Sequence, residues 1–309
     1  MKILVLGSNG FIGSSILTEA SRFNIKAVGL SRKDCDFLEI DKLTNLINRE
    51  APDFVINAAG VVAGIQGNLD SPFDLLYKNS ELILAIAKSC ISAEVQSYIS
   101  FSAACIYPSG SKESTSTSDL WAGKPEISSL SYATSKILGL QLNESVNSQF
   151  GLKWKTIIPS NLYGYKDSML DLDRASHVLE SLIAKTLTAK KSKSENVEVW
   201  GDGTPQRTFL HVKDLALATL NIIENADKLP SVLNVNGGTE VTIKLLAESI
   251  AEFAVYKGGI VFNPQKPNGA LRKNLDDSIL RSIGWRNQSD FFTELKLLVT
   301  QAEEQSKIF

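Results

Sequence analysis

The sequence has few of the residues that crosslink chains or hold metals. Among its 309 residues are three cysteines, Cys35, Cys90 and Cys105, and two histidines, His177 and His211. No CxxC pair occurs. An odd, sparse set of thiols argues against a disulfide framework and structural zinc, and for a reducing compartment. Two histidines are too few for a His-rich metal site, so no metal is expected. No apolar run approaches the ~18 residues of a membrane span. The opening MKILVL is broken by Gly7-Ser8-Asn9-Gly10 too early for a signal peptide. Charge of one sign is also missing: 32 lysines and arginines face 34 aspartates and glutamates, for a net charge of -2. No global field then points to nucleic acid or a membrane surface. These absences predict a cytoplasmic protein.

What is present is a large apolar fraction, 43% of the chain, enough for one big α/β domain or two interlocked ones. Short apolar runs at Lys2–Leu6, Lys26–Leu30, Phe54–Asn57, Gln96–Phe101 and Lys155–Pro159 alternate with helical patterns. Each run is near-continuously apolar, which marks a parallel sheet covered on both faces. The clearest helix opens at Ser71-Pro72, a cap residue followed by proline at the first helical position, and runs to about Ser92. This repetition predicts an α/β fold, a Rossmann-type doubly wound parallel sheet. After Pro159 the pattern changes to shorter strands (Val197–Trp200, Val232–Val235, Ile260–Phe262) and helices including Thr242–Phe253. We read residues 1–160 as a nucleotide-binding domain and 161–309 as a smaller C-terminal lobe, with a segment near 207–229 returning to the first. Ser109–Asp119 and TAKKSKSE at 188–195 read as exposed loops.

Gly7-Ser8-Asn9-Gly10-Phe11-Ile12-Gly13 follows the first strand and opens a helix. Glycines there permit a tight turn and close backbone approach to a pyrophosphate, which the helix N-terminus attracts. A lone glycine pattern is equally a plain strand–helix turn, but its place directly after KILVL is the context the motif demands. The second strand ends in Ser31-Arg32-Lys33, with Asp34 two residues beyond Arg32. An acidic residue at this tip holds a ribose 2′-hydroxyl, whereas arginine accommodates a 2′-phosphate. NADP(H) is therefore favoured over NAD(H). Ala58 and Ala59, in NAAG at 57–60, leave room for a cofactor at the third strand's end.

SYATSKILG at 131–139 puts Tyr132 and Lys136 on one helix face. A free tyrosine has a pKa of about 10, and a nearby ammonium stabilises the phenolate, so the pair can exchange a proton with a carbonyl near neutrality. Alone, this spacing is as readily surface decoration. Beside the glycine motif it resembles the active site of the short-chain dehydrogenase/reductase superfamily. PSNLYGY (159–165), WGDGTPQRTFLHVKDLA (200–216) and KPNGALRKNLD (266–276) resemble that superfamily's extended, nucleotide-sugar-modifying branch. They are most similar to the GDP-L-fucose synthases, NADPH-dependent GDP-4-keto-6-deoxy-D-mannose 3,5-epimerase/4-reductases, and the likeness covers nearly the whole chain.

The resemblance implies that the second lobe binds a GDP-sugar, with Asn161, Arg207 and Leu271-Arg272-Lys273 near the diphosphate and Val178, Lys185 and Trp200 among the substrate contacts. Pro159 and His177 would also border the cofactor, and Lys136 would hold its ribose. It further implies that Cys105, in CIYP, is the base for epimerisation and His177, in ASHV, the acid. The plainer alternatives are a buried small apolar cysteine and a packing histidine. By the same resemblance, the helices near 72–92 and 131–149 pair with those of a second subunit, giving a homodimer.

One departure stands out in SFSAACIYPSG (100–110). The superfamily carries Ser or Thr four residues before the tyrosine of this loop, where it hydrogen-bonds the substrate carbonyl. Here that position is Ala103, and Ser102 precedes it. Neighbours in a strand face opposite sides, so Ser102 is no simple substitute. Three readings follow: an epimerase/reductase that works with Tyr132 alone, a C4-reductase or 4-epimerase without C3/C5 inversion, or a catalytically silent NADP(H)-binding protein.

Overall fold

The computed structural model describes residues 1–108, 113–165, 177–266 and 268–306. The first half runs β1 (Lys2–Leu6), α1 (Phe11–Arg22), β2 (Lys26–Leu30), α2 (Ile40–Glu50), β3 (Phe54–Asn57), α3 (Ile65–Asp70), α4 (Pro72–Ser92), β4 (Tyr98–Phe101), α5 (Leu130–Phe150) and β5 (Lys155–Pro159). It continues through β6 (Asn161–Tyr163), α6 (Val178–Ser192), β7 (Asn196–Trp200), β8 (Gln206–His211), α7 (Val212–Glu224) and β9 (Val232–Val235). Then come β10 (Glu240–Thr242), α8 (Ile243–Phe253), β11 (Gly259–Asn263), β12 (Arg272–Lys273), α9 (Ser278–Ser282) and α10 (Phe291–Ser306).

The main sheet is parallel, in the order β2-β1-β3-β4-β5-β9. Ile3, Leu4, Val5 and Leu6 of β1 are fully buried, as expected of a central strand with helices on both faces. Alternate residues serve two cores. Ile3 and Val5 pack with α1 and α7, whereas Leu4 and Leu6 pack with α2 and α4. α4 begins with Pro72 at its first turn, but Ser71 makes no side-chain cap bond.

Two elements differ from the sequence reading. Val232–Val235 is the sixth strand of the main sheet, beside β5, rather than part of the second lobe. Its four buried residues suit that edge because α9 packs across it. The stretch 188–195 is no loop at its start: α6 continues to Ser192, and Lys193 turns the chain at φ 53°. Lys190 and Lys191 in its last turn complement the helix dipole.

The second lobe carries a small sheet in the order β10-β8-β12, with β6 also on β8, and a separate β11-β7 pair. Its core is built on Tyr163, Phe209 and Phe291 against α6, α8 and α10. Thr242 caps α8 by accepting from the Leu245 N–H at 3.0 Å. No helix among the described residues is long and apolar enough to cross a membrane. The lobes meet where β5 runs into β6 and β8 into α7. The C-terminal ends of β1, β3, β4 and β5 open towards that junction, the place where open α/β sheets hold ligands.

Candidate active site

The loop after β1 is shaped by what it excludes. Gly7 has φ 78°, and a Cβ there would lie 2.7 Å from the Ala59 nitrogen. A Cβ on Gly13 would collide with the Gly7 carbonyl oxygen. The loop is pinned to β2 by the Gly7 and Ser8 N–H groups, which donate to the Leu30 oxygen at 2.9 and 3.0 Å. Gly10 caps α1 without a side chain, and no acidic residue lies in the first turn. The positive end of α1 is left to an anion. Phe11 and Ile12 begin the helix, and Ile12 packs on the core. Ala58 closes against β1 through its N–H to the Leu6 oxygen at 2.9 Å. This cradle fits a dinucleotide pyrophosphate.

At the tip of β2, Asp34 is exposed but tied to the turn. Its Oδ2 accepts from the Ser31 N–H at 2.8 Å and the Ser31 hydroxyl at 2.7 Å. Those bonds hold its carboxyl below the usual range and tie it to the turn. Arg32 and Lys33 stay exposed, which suits a 2′-phosphate.

Tyr132 and Lys136 both lie on α5. Lys136 Nζ lies 5.5 Å from the Tyr132 ring centre and donates to the Phe101 oxygen at 3.2 Å. Burial pushes the ammonium down to about 8, opposed by Cys105. Burial also pushes the Tyr132 phenol up, helped by the neighbouring Cys105. This differs from the lowered phenol that a Tyr/Lys pair alone predicts: desolvation is the largest influence on this phenol. Tyr132 is therefore protonated at neutral pH, the form that can donate.

Cys105 sits in a short 3-10 turn, Ala104–Ile106, just beyond β4. Burial raises its thiol, while Lys273, Lys136 and a hydrogen bond with Ser129 pull the other way. It lines a cleft with Tyr107, Thr115, Glu126, Lys273 and Asn274. Ala103 is extended at φ -151°. Ser102 is buried, its hydroxyl has no hydrogen-bond partner among the described residues, and it lines a pocket together with Lys136, Ser100 and Asn143. Ser102 is not among the residues that line the Cys105 cleft.

His177 is the exposed N-cap of α6. Among the described residues no hydrogen bond joins it to Tyr132, Lys136 or Cys105. On the same helix Val178 is exposed. Lys185 Nζ stands 5.6 Å from the Trp200 ring, and Lys266 Nζ approaches that ring at 5.4 Å. Asn161 donates to the Thr208 oxygen at 3.1 Å, and Pro159 ends β5, buried. Arg207 donates to the Gln206 and Ala270 oxygens, both at 2.7 Å. Arg272 forms a two-bond pair with Glu240 at 2.7 and 2.6 Å. Its neighbour Lys273 instead reaches Glu126 at 2.6 Å. Glu126, Ser129 and Thr115 do not stand out in the sequence, because only the folded cleft brings them beside Cys105. Among the described residues no His, Cys, Asp and Glu group has the makings of a metal site.

Comparison with known proteins agrees with this geometry. Residues 3–236 match the model of the NAD dependent epimerase/dehydratase family. The chain is 32% identical over 291 residues to GDP-L-colitose synthase of Yersinia pseudotuberculosis, covering 94% of both. It is 33% identical over 296 residues to GDP-L-fucose synthase of Escherichia coli K12, covering 93% of this chain and 92% of that one. A solved structure titled DdhaC superposes with a TM-score of 0.83 at 28% identity, covering 100% of this chain and 98% of that one. The chain belongs to the NAD dependent epimerase/dehydratase family.

Proposed function

We propose that the chain is an NADPH-dependent epimerase/reductase of a nucleotide 4-keto-6-deoxy sugar, converting GDP-4-keto-6-deoxy-mannose to GDP-L-fucose or acting on a close analogue. The observation that carries this is the convergence of Tyr132, Lys136 and Cys105 at the end of β4, with Lys273 and Arg207 of the second lobe facing them. The named relatives, a GDP-L-fucose synthase and a GDP-L-colitose synthase, support the substrate class. Arg32 and Lys33, with the neighbouring Asp34 carboxylate bonded to Ser31, support NADP(H) over NAD(H).

Bound NADPH supplies hydride to C4. Tyr132 donates its proton to O4, and its raised phenol keeps that proton in place until the oxyanion forms. Lys136 holds the cofactor ribose. A 4-keto group acidifies the hydrogens at C3 and C5, so Cys105 as base and His177 as acid can invert these centres through an enolate. Gly7, Asn9, Gly10, Phe11, Ile12, Gly13, Ala58, Ala59 and Pro159 would border the cofactor. Arg207 and the Arg272-Lys273 strand would meet the diphosphate, with Asn161 beside them. Val178, Lys185 and Trp200 would take the nucleoside. Exposed Phe73, Tyr77 and Leu84 on α4, which packs against α5, support a homodimer through these helices. The sparse thiols support a cytoplasmic site of action.

The test is to supply NADPH and GDP-4-keto-6-deoxy-mannose in deuterated water. Oxidation of NADPH with deuterium entering C3 and C5, lost in Cys105→Ser, supports the full activity. The raised Cys105 thiol and the missing hydroxyl at Ala103 favour one second reading, a C4-reductase without inversion. It predicts NADPH oxidation with no deuterium uptake. Cofactor binding without oxidation would leave a silent NADP(H)-binding protein.

A further inference from the structure

Glu126 has an odd position for a carboxylate. The cleft beside Cys105 is where an anionic substrate is expected, yet Glu126 lines it. Its Oε2 holds Lys273 Nζ at 2.6 Å, with both side chains about three-quarters buried, 23% and 27% exposed. Lys273 and Arg207 are register partners on the adjacent parallel strands β12 and β8, so their side chains leave the sheet on one face. Arg207 also acts on Glu126 through space. Burial opposes the charge on Glu126, but Lys273, Ser128 and Arg207 together keep its carboxyl below the usual range. The next cation along, Arg272, pairs with Gln206 of β8 and is neutralised by Glu240 instead. The fold thus gives each cation of β12 its own carboxylate, and Glu126–Lys273 is the pair whose two members both line the cleft with Cys105.

We propose that Glu126 is a resident counter-ion, standing against Lys273 and Arg207 where a nucleoside diphosphate binds, and that the ligand must displace it. This rests on the nucleotide-sugar reading above for the ligand's identity. The ion pair itself does not depend on that reading.

Two consequences follow from charge alone. Glu126 competes with the diphosphate, so affinity is lower than the two cations would give by themselves. It also compensates Lys273, one of the two ammonium groups that draw the Cys105 thiol towards ionisation. The groups facing this thiol are Lys273 from β12, Lys136 and Tyr132 from α5, Ser129 just before α5, and Glu126 and Arg272 across the cleft. Of these, Glu126 and Lys273 are the oppositely charged pair in contact. An unpaired Lys273 would favour the thiolate. Glu126 is thus a positioning residue, acting on ligand and thiol through Lys273.

The experiment uses GDP as the probe and reads two quantities on the intact protein. The first is the Kd for GDP by calorimetry. The second is the pH midpoint of Cys105 alkylation by iodoacetamide, followed on the Cys105 peptide by mass spectrometry. Glu126→Gln keeps the size and removes the charge. It should tighten GDP about tenfold and lower the alkylation midpoint. Glu126→Asp, which retains the charge, should stay near wild type in its midpoint. Lys273→Met should weaken GDP and raise the midpoint. Unchanged or weaker GDP binding by Glu126→Gln, together with an unmoved midpoint, overturns the proposal. Should the wild-type protein take up no GDP, the nucleotide reading fails and displacement by a diphosphate fails with it. The alkylation midpoints then decide whether Glu126 governs Lys273.

Discussion

The two ends of the ligand cleft are built on different principles. The cofactor end is made of backbone: Gly7 and Gly13 leave no space for a side chain, and α1 presents an uncapped N-terminus without acidic residues. Its glycine loop lies within one short stretch of chain, braced by Leu30 and Ala58 from the neighbouring strands. The substrate end is made of charges gathered from afar. Cys105 follows β4, Glu126 precedes α5, Arg207 lies on β8 and Lys273 on β12. A backbone cradle works through fixed dipoles that titration does not alter. In the charged cleft burial opposes ionisation at several groups: the Cys105 thiol goes up, the Lys136 ammonium goes down to about 8, and Arg207 is lowered. The first end is set by geometry, the second by electrostatic balance, so changes at the two should separate cleanly.

The largest separation is expected from Tyr132→Phe. Only the hydroxyl is lost, and in the proposed reaction it acts when O4 becomes an oxyanion. NADPH oxidation with a 4-keto sugar nucleotide should fall by at least about 10³, while fluorescence titration finds NADPH affinity within about twofold of wild type. A variant that turns over like wild type would mean another group is the acid. The opposite separation comes from Arg32→Asp at the tip of β2. A negative charge against a 2′-phosphate should weaken NADPH by at least about tenfold and leave NADH nearly unchanged. Equal weakening of both cofactors would show that Arg32 does not contact that phosphate.

The same contrast accounts for what the sequence disclosed. The five parallel strands of the first half were legible because each is buried on both faces, and a near-continuous apolar run of strand length suits a covered parallel sheet best. The glycine cradle was legible because it is local. β9 was not assigned to its sheet, since Val232–Val235 looks alike as a strand of either lobe and only pairing with β5 decides. Lys190 and Lys191 suggested a loop by polarity, but a helix C-terminus favours lysine. In the cleft, Cys105, Tyr132 and Lys136 stood out through their motifs. Glu126 did not, because a lone glutamate in KPEISS has no signature, and its meaning comes from a lysine 147 positions away. Burial raises the Tyr132 phenol, and burial is a property that a sequence does not show.

Ala103 offers a finer test of the charged end. Its backbone is extended, so Ala103→Ser adds a hydroxyl without backbone strain. Losing such a donor from a site shaped around it costs about 10²–10³ in rate. Restoring one to a site that has adjusted to alanine should recover less, about tenfold in kcat, with KM little changed. Stopped-flow oxidation of NADPH measures it. A rate equal to that of the parent would show that Tyr132 alone serves the carbonyl.

The smallest effect on catalysis, and the clearest on stability, belongs to Glu180 in the first turn of α6. It is 5% exposed, and neither carboxyl oxygen has a hydrogen-bond partner among the described residues. Burial pushes its carboxyl up to about 7 from 4.5. A raised folded pKa means that the folded state holds the proton more tightly than the unfolded chain. The resulting stability is fully present below the unfolded value and disappears as pH rises through about 7. The difference amounts to about 3 kcal/mol between those limits. Glu180→Gln keeps the shape and removes the titration. The wild-type Tm should therefore drop by several degrees more than that of the variant between about pH 5 and pH 8.5, while turnover at neutral pH stays alike in both. Parallel Tm curves across that range would mean that Glu180 ionises without cost, and that the substrate lobe shields its charge in a way the cofactor end never has to.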